Sequence, residues 1–238
     1  RKDMGNYAVV SCYNVLPIGG CGLTLVRLNI HNLPKLAKDP EDLLERVIPY
    51  AVTAVCDAID SRVDFIVNEC HYYENTFLYD EGLIKKEKDY MIGMFGFVGL
   101  AECVNGVLGL EKPEERFGKG KEADDFGEKI MRRIKEEIDK RPCPFGKYGL
   151  HAQVGVMEDA GSTPGGRIPI GEEPELPFQI TNFIRMHRDC DAGCGELFPF
   201  EETVRRNPQY LADIMKGAFR SGARYLSFYG SDSDLVRV

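Results

Sequence analysis

Tyr7 to Ile30 reads YAVVSCYNVLPIGGCGLTLVRLNI. The apolar segment Tyr7-Ala8-Val9-Val10 predicts a strand that runs into Ser11-Cys12. Pro17, Gly19, Gly20 and Gly22 then mark a loop that carries a second thiol, Cys21. The apolar run resumes through Leu23, Leu25, Val26 and Leu28, with Arg27 and Asn29 set into it. A buried strand ending in a cysteine, just before a Gly/Pro loop, brings a thiol to the rim or centre of a cavity. An arginine downstream is suited to hold an anion near it. The plainer reading is that Cys12 is a small buried hydrophobe, the commonest place for a free cysteine.

The rest of the chain alternates strands and helices. Asp39-Pro40 is an N-cap followed by proline at the first helical position. Leu43, Leu44, Val47, Ile48, Ala51, Val55, Ile59, Val63 and Ile66 continue it as a long amphipathic helix over 41–68, kinked near Pro49. His71 to Asn75 is a polar, aromatic segment that reads as a surface loop, with a segment facing a cavity as the alternative. Tyr90 to Leu110 is apolar on nearly all sides, which predicts a buried helix over 90–108 with Gly93, Gly96 and Gly99 along one side. Glu102 inside that run needs a partner or a proton. It is either a hydrogen-bonding anchor or a site group.

Ala123, Phe126, Ile130, Met131, Ile134 and Ile138 predict an amphipathic helix over 122–140, with Asp124-Asp125 and Lys140-Arg141 placed to suit its dipole. Leu150–Met157 and Arg224–Tyr229 read as strands, 178–186 as a mixed strand or short helix, and 207–221 as a helix closed by Gly222. Gly161 to Gly171 is a structured loop that lacks the Gly-Lys-Ser/Thr ending of a phosphate loop. The alternation predicts an α/β architecture with a parallel sheet.

Composition narrows the function. The 238 residues are 43% hydrophobic and carry a net charge of −8, so a proper core is expected. The net charge argues against nucleic acid and anionic membrane surfaces as partners, since both call for a basic face. No apolar run reaches the roughly 18 residues of a membrane span. Eight cysteines without a secretory signal fit reduced thiols in a cytoplasm. Cys190 and Cys194 with His187 supply only part of a zinc corner, and loop thiols without metal are expected. The sequence opens at Arg1 and stops within an apolar run at Val238, which reads as a single-domain fragment, 1–238, of a longer protein.

Several separated segments resemble, in order, the C-terminal half of a glycyl radical enzyme. They are Cys12 before Arg27-Leu28-Asn29-Ile30, the segment Gly96-Phe97-Val98-Gly99-Leu100-Ala101-Glu102-Cys103, the loop Thr163-Pro164-Gly165-Gly166-Arg167, and Arg237-Val238 at the position where a radical loop opens. The YjjI-like subgroup is the most similar. The resemblance implies half of a ten-stranded α/β barrel with the cysteine loop inside, and a radical glycine about two residues beyond Val238. It implies no bound cofactor or metal at the reacting centre. It also implies a separate radical S-adenosylmethionine activating enzyme, a small and anionic substrate, and a homodimer as full-length protein.

Cys12 or Cys21 would carry the thiyl radical. Cys12 has the family's spacing to the arginine segment, whereas Cys21 stands in the context seen in anaerobic ribonucleotide reductases. Asn14, Arg27 and Glu102 are the implied substrate-binding positions. Ser11 replaces the second cysteine of pyruvate formate-lyase, and Asn14 replaces the glutamate of the diol and choline lyases, so neither activity is implied. Two other classes fit the composition: a non-catalytic α/β binding protein, and an ordinary cysteine nucleophile served by His31, His71, His151 or His187.

Overall fold

The computed structural model describes residues 6–10, 13–85, 90–152, 162–163, 165–169, 171–196, 198–200 and 206–230. Its centre is a parallel three-stranded sheet in the order β3 (Cys21–Asn29), β4 (Met91–Val98), β5 (Lys147–Ala152). A short antiparallel hairpin precedes it, β1 (Tyr7–Val9) against β2 (Val15–Pro17). A parallel pair, β6 (Phe198–Phe200) and β7 (Phe228–Gly230), follows. The fold is α/β, and its sheets are small and open.

The helices form as their sequences require. Asp39 caps the first turn through the amide of Asp42 at 2.8 Å, with Pro40 at the first helical position. The helix crosses Pro49 by a wide π turn, Leu43–Val47, before α1 (Ile48–Asp64). α2 (Leu100–Leu108) follows β4 directly, with Gly99 at the left-handed φ of 84° between them. α3 (Lys121–Lys140) buries the stripe Ala123, Phe126, Ile130, Met131, Ile134 and Ile138. α4 (Leu176–His187) is tied to α3 by Arg185, which reaches Asp125 at 2.6 Å and Glu128 at 2.8 Å. α5 (Pro208–Ser221) begins at an Asn207 cap and ends at Gly222.

Two expectations are corrected. The predicted helix over 90–108 is a strand, Met91–Val98, and only then a helix. All eight strand residues are buried. A strand covered on both faces reads as an unbroken apolar run, which periodicity alone does not separate from a buried helix. The predicted first parallel strand, Tyr7–Cys12, is instead the first arm of the antiparallel hairpin, and Cys12 itself lies outside the described residues. Only five residues, 10–14, separate β1 from β2, and so short a link joins only antiparallel neighbours; the Pro/Gly loop comes later, between β2 and β3. The other strands move less. β5 starts at Lys147, residues 153–161 lie outside the described set, and the last strand is Phe228–Gly230.

The sheet has two distinct faces. A Cβ on Gly93 would lie 2.6 Å from Ile59 and 2.7 Å from Phe145, so this face packs on the helical layer. A Cβ on Gly96 would lie 2.9 Å from Leu25 and 3.1 Å from Arg27, and one on Gly149 would lie 2.5 Å from Ala192. This second face carries Ile92, Met94 and Ala192, with Leu16 of the hairpin and Leu25 packed against them. Segment 191–195 runs along the free edge of β5, where Ala192 N donates to Leu150 O and Ala152 N to Gly193 O.

A paired substitution checks this layering. Gly93→Ala presses a methyl into Ile59 and Phe145 and should destabilise the protein by about 1–3 kcal/mol. Gly217→Ala, on the open side of α5 with nothing within reach of its Cβ, should stabilise it by about 0.5–1 kcal/mol. Urea unfolding midpoints of the two variants should move in opposite directions; a Gly93→Ala midpoint equal to the native one contradicts the packing.

Candidate active site

Strand register assembles the site on the second sheet face. Arg27 on β3 stands opposite Gly96 on β4, and Gly96 opposite His151 on β5. The two basic side chains are thus separated by a residue with no side chain of its own. Arg27 is exposed and His151 is fully buried. The apolar residues Leu16, Leu25, Ile92 and Met94 continue this face toward the amino ends of the strands.

The hairpin covers the face. Its arms are closed by Val10 N donating to Asn14 O at 2.9 Å, and Ser11 and Cys12, between them, lie outside the described residues. Val15 N donates to Ala192 O at 2.9 Å, which ties the second arm to segment 191–195. Tyr13 takes a left-handed φ of 59° and stacks its ring on Tyr225, with centroids 6.1 Å apart.

A polar rim closes the carboxyl ends of β3 and β4. Asn29 Oδ1 accepts from His31 N at 3.2 Å and from Ser162 Oγ at 3.1 Å. Ser162 Oγ also meets His31 Nδ1 at 3.1 Å. Gly99 N and Leu100 N, at the start of α2, donate to Thr163 O and Gly165 O. Glu102 completes the fastening by accepting from Thr163 N at 2.7 Å and from the Thr163 hydroxyl. Arg167 pairs with Glu196 at 3.3 Å, and both are buried.

The positions expected from sequence therefore separate. Arg27 lies on the sheet face that carries Leu25 and Met94, and Asn14 lies in the hairpin, next to Val15. Glu102 anchors the 162–165 loop. Cys21 opens β3 at the end of the strand remote from Asn29, with its thiol 3.3 Å from the Tyr72 hydroxyl. The segment His71–Asn75 is not a loop: Tyr72–Asn75 is one helical turn.

Among the described residues, no group of three or more His, Cys, Asp or Glu side chains is placed to hold a metal. Cys190 and Cys194 are both buried and hydrogen-bonded to each other, and burial pushes the Cys190 thiol well up. His187 lies between Phe183 and Tyr225, at ring distances of 4.6 and 4.5 Å. Sequence reasoning missed Tyr13, Gly193 and Tyr225, and left His151 unplaced. A Tyr directly after the cysteine was the one local signal for this group.

The buried thiols outside this region are inert by environment. Burial pushes Cys103 and Cys56 up to about 12, whereas Cys70 is exposed. A raised pKa keeps a thiol protonated, and the thiolate is the reactive form. At about pH 8, iodoacetamide should modify Cys70 readily and leave Cys56 and Cys103 unmodified, read by peptide mass spectrometry. Modification of Cys103 as fast as Cys70 contradicts the buried α2.

Comparison with known proteins identifies the family and the fold. A family model described as glycyl radical enzyme, YjjI-like, matches residues 1–238. The chain is 37% identical over 237 residues to the uncharacterized protein YjjI of Escherichia coli K12, covering 98% of this chain and 46% of that protein. It is 35% identical over 246 residues to an uncharacterized protein of Haemophilus influenzae, covering 100% of this chain and 48% of that one. The chain thus spans about half the length of these curated relatives.

Among solved structures, the anaerobic ribonucleotide reductase of Thermotoga maritima with glycerol in its active site superposes with a TM-score of 0.71 at 15% identity. It covers 88% of this chain and 37% of that one. A Roseburia inulinivorans structure concerned with 1,2-propanediol dehydration superposes at 0.67 and 12% identity, over 95% and 40%. At these identities the likeness is one of fold.

Proposed function

The chain belongs to the YjjI-like family of glycyl radical enzymes, and we propose that it supplies the substrate side of a radical site in the whole protein. In this reading the three-stranded sheet is part of a barrel half, and the hairpin is the cysteine loop inside it. The observation that carries the reading is the register row Arg27–Gly96–His151 on the one sheet face that this hairpin covers.

The proposed chemistry balances in two hydrogen-atom transfers. A radical on a glycine elsewhere in the full-length protein, installed by a separate radical S-adenosylmethionine enzyme, takes the hydrogen atom from the Cys12 S–H. The thiyl so formed takes a hydrogen atom from a substrate C–H, which restores the thiol and leaves a carbon radical on the substrate. The apolar lining of Leu16, Leu25, Ile92 and Met94 suits this chemistry, because a radical must be kept from water and oxygen. Arg27 would bind a carboxylate or phosphate, and the lack of a side chain at Gly96 lets the Leu25 and Arg27 side chains close over that position. Asn14 would add a polar contact from the hairpin, while Glu102 would act on substrate only through the loop it fastens.

The remote position of Cys21 at the start of β3, on the Tyr72 side, favours Cys12 as the thiyl carrier. A small anionic substrate, a homodimeric whole protein and a cytoplasmic setting complete the proposal. No helix among the described residues is long and apolar enough to cross a membrane.

Variants of the full-length protein test the assignment. Cys12→Ser should still accept the glycyl radical, seen by electron spin resonance, and should turn over no substrate, because a serine O–H bond is too strong for a glycyl radical to open. Cys21→Ser should keep substantial activity. Arg27→Ala should raise KM about ten- to a hundredfold, the loss of a charge-assisted contact, with a smaller effect on kcat. An active Cys12→Ser beside a dead Cys21→Ser with its radical intact would mean that the other thiol does the work.

A further inference from the structure

We propose that Gly193 and Tyr225 form a seat that fixes the cysteine-bearing hairpin, and that Tyr225 is a positioning residue acting on Cys12 through Tyr13. The inference rests on the reading of Cys12 as the hydrogen-abstracting thiol.

Tyr13 is covalently next to Cys12, and its backbone sits in the left-handed region that a residue with a side chain seldom adopts. Such a conformation persists only where surrounding contacts over-determine it. Here they come from two separate segments. The Tyr13 hydroxyl meets Ser227 Oγ at 2.5 Å. The Tyr13 ring stacks on Tyr225 with only 4° between the ring planes. The Tyr13 carbonyl faces the Tyr225 hydroxyl at 3.4 Å and lies directly against Gly193.

Gly193 can only be glycine. Its φ is +116°, and a Cβ there would lie 1.8 Å from the Tyr13 oxygen and 3.2 Å from the His151 ring. Tyr225 joins the parts of the seat. Its hydroxyl accepts from Cys194 N at 2.6 Å. Its proton is shared between Cys194 O at 2.8 Å and Tyr13 O at 3.4 Å. The His187 ring stands edge-on at 4.5 Å and backs the phenol. Burial pushes the Tyr225 phenol up, so it stays protonated and remains a donor.

The geometry gives Tyr225 a role that simple packing would not need. One hydroxyl spans the loop carrying Gly193 and the residue beside Cys12. Removing it leaves the stacked rings in place and frees the backbone they hold. Phenylalanine at 225 therefore separates positioning from packing.

The experiment measures alkylation of Cys12 by iodoacetamide in the full-length protein, by peptide mass spectrometry, with the buried Cys103 as an internal reference. Tyr225→Phe should speed Cys12 alkylation about five- to tenfold, the population change that losing one neutral hydrogen bond allows, with Cys103 unchanged. Gly193→Ala should have the larger effect where it folds. An unchanged Cys12 rate in Tyr225→Phe overturns the proposal. So does a parallel rise at Cys12 and Cys103, since general loosening moves both. If Cys12→Ser proves catalytically active while Tyr225→Phe still speeds Cys12 alkylation, the choice of thiol fails and the seat stands.

Discussion

Met91–Val98 is buried on both faces, and every other part of the structure follows from the two layers that cover it. Helices α1 and α3 supply one layer, and the hairpin with segment 191–195 supplies the other. A parallel strand covered on both sides is itself closed to water, whereas Arg27 on the neighbouring β3 stays exposed. Small residues appear where a covering element must come close: Gly93 under Ile59 and Phe145, and Gly149 under Ala192. The same constraint makes the inner face a natural place for chemistry that water would quench.

Two kinds of fastening hold that inner layer. At the carboxyl ends of the strands, Asn29, His31, Ser162, Thr163 and Glu102 link the 162–165 loop to β3 and α2. At the hairpin, Tyr13 is gripped by Tyr225, Ser227 and Gly193. Both use short, oriented polar contacts in partly or fully buried surroundings, where an unmade hydrogen bond costs more than a made one contributes. Arg27 and His151 lie between the two, in one register row on either side of Gly96.

Much of this was legible from the chain, for reasons that differ by element. The stripe from Ala123 to Ile138 repeats at helical spacing because one face meets the core and the other meets water, so α3 was readable to within a residue. The Asp39-Pro40 and Asn207-Pro208 caps declared their helices for the same local reason. The Met91–Val98 strand was not readable as one, because burial on both faces erases the alternation that marks a strand. The separate motifs pointed to the family, which the match over residues 1–238 establishes. Arg27 was singled out as a charge in an apolar run. His151 and Tyr225 were not placed, because register and long-range stacking bring them to Gly96 and Tyr13 from more than 50 and 200 residues away.

The central claim is that Cys12 exchanges a hydrogen atom with the glycyl radical of the whole protein. Electron spin resonance of the activated full-length enzyme in heavy water tests it without knowledge of the substrate. Thiol hydrogens exchange with solvent, so reversible transfer through Cys12 carries deuterium to the glycine Cα. The account predicts that the doublet from the glycine α-hydrogen collapses to a narrow single line in the native enzyme and persists in Cys12→Ser. A doublet that persists in the native enzyme, or that collapses equally in Cys12→Ser, would contradict it.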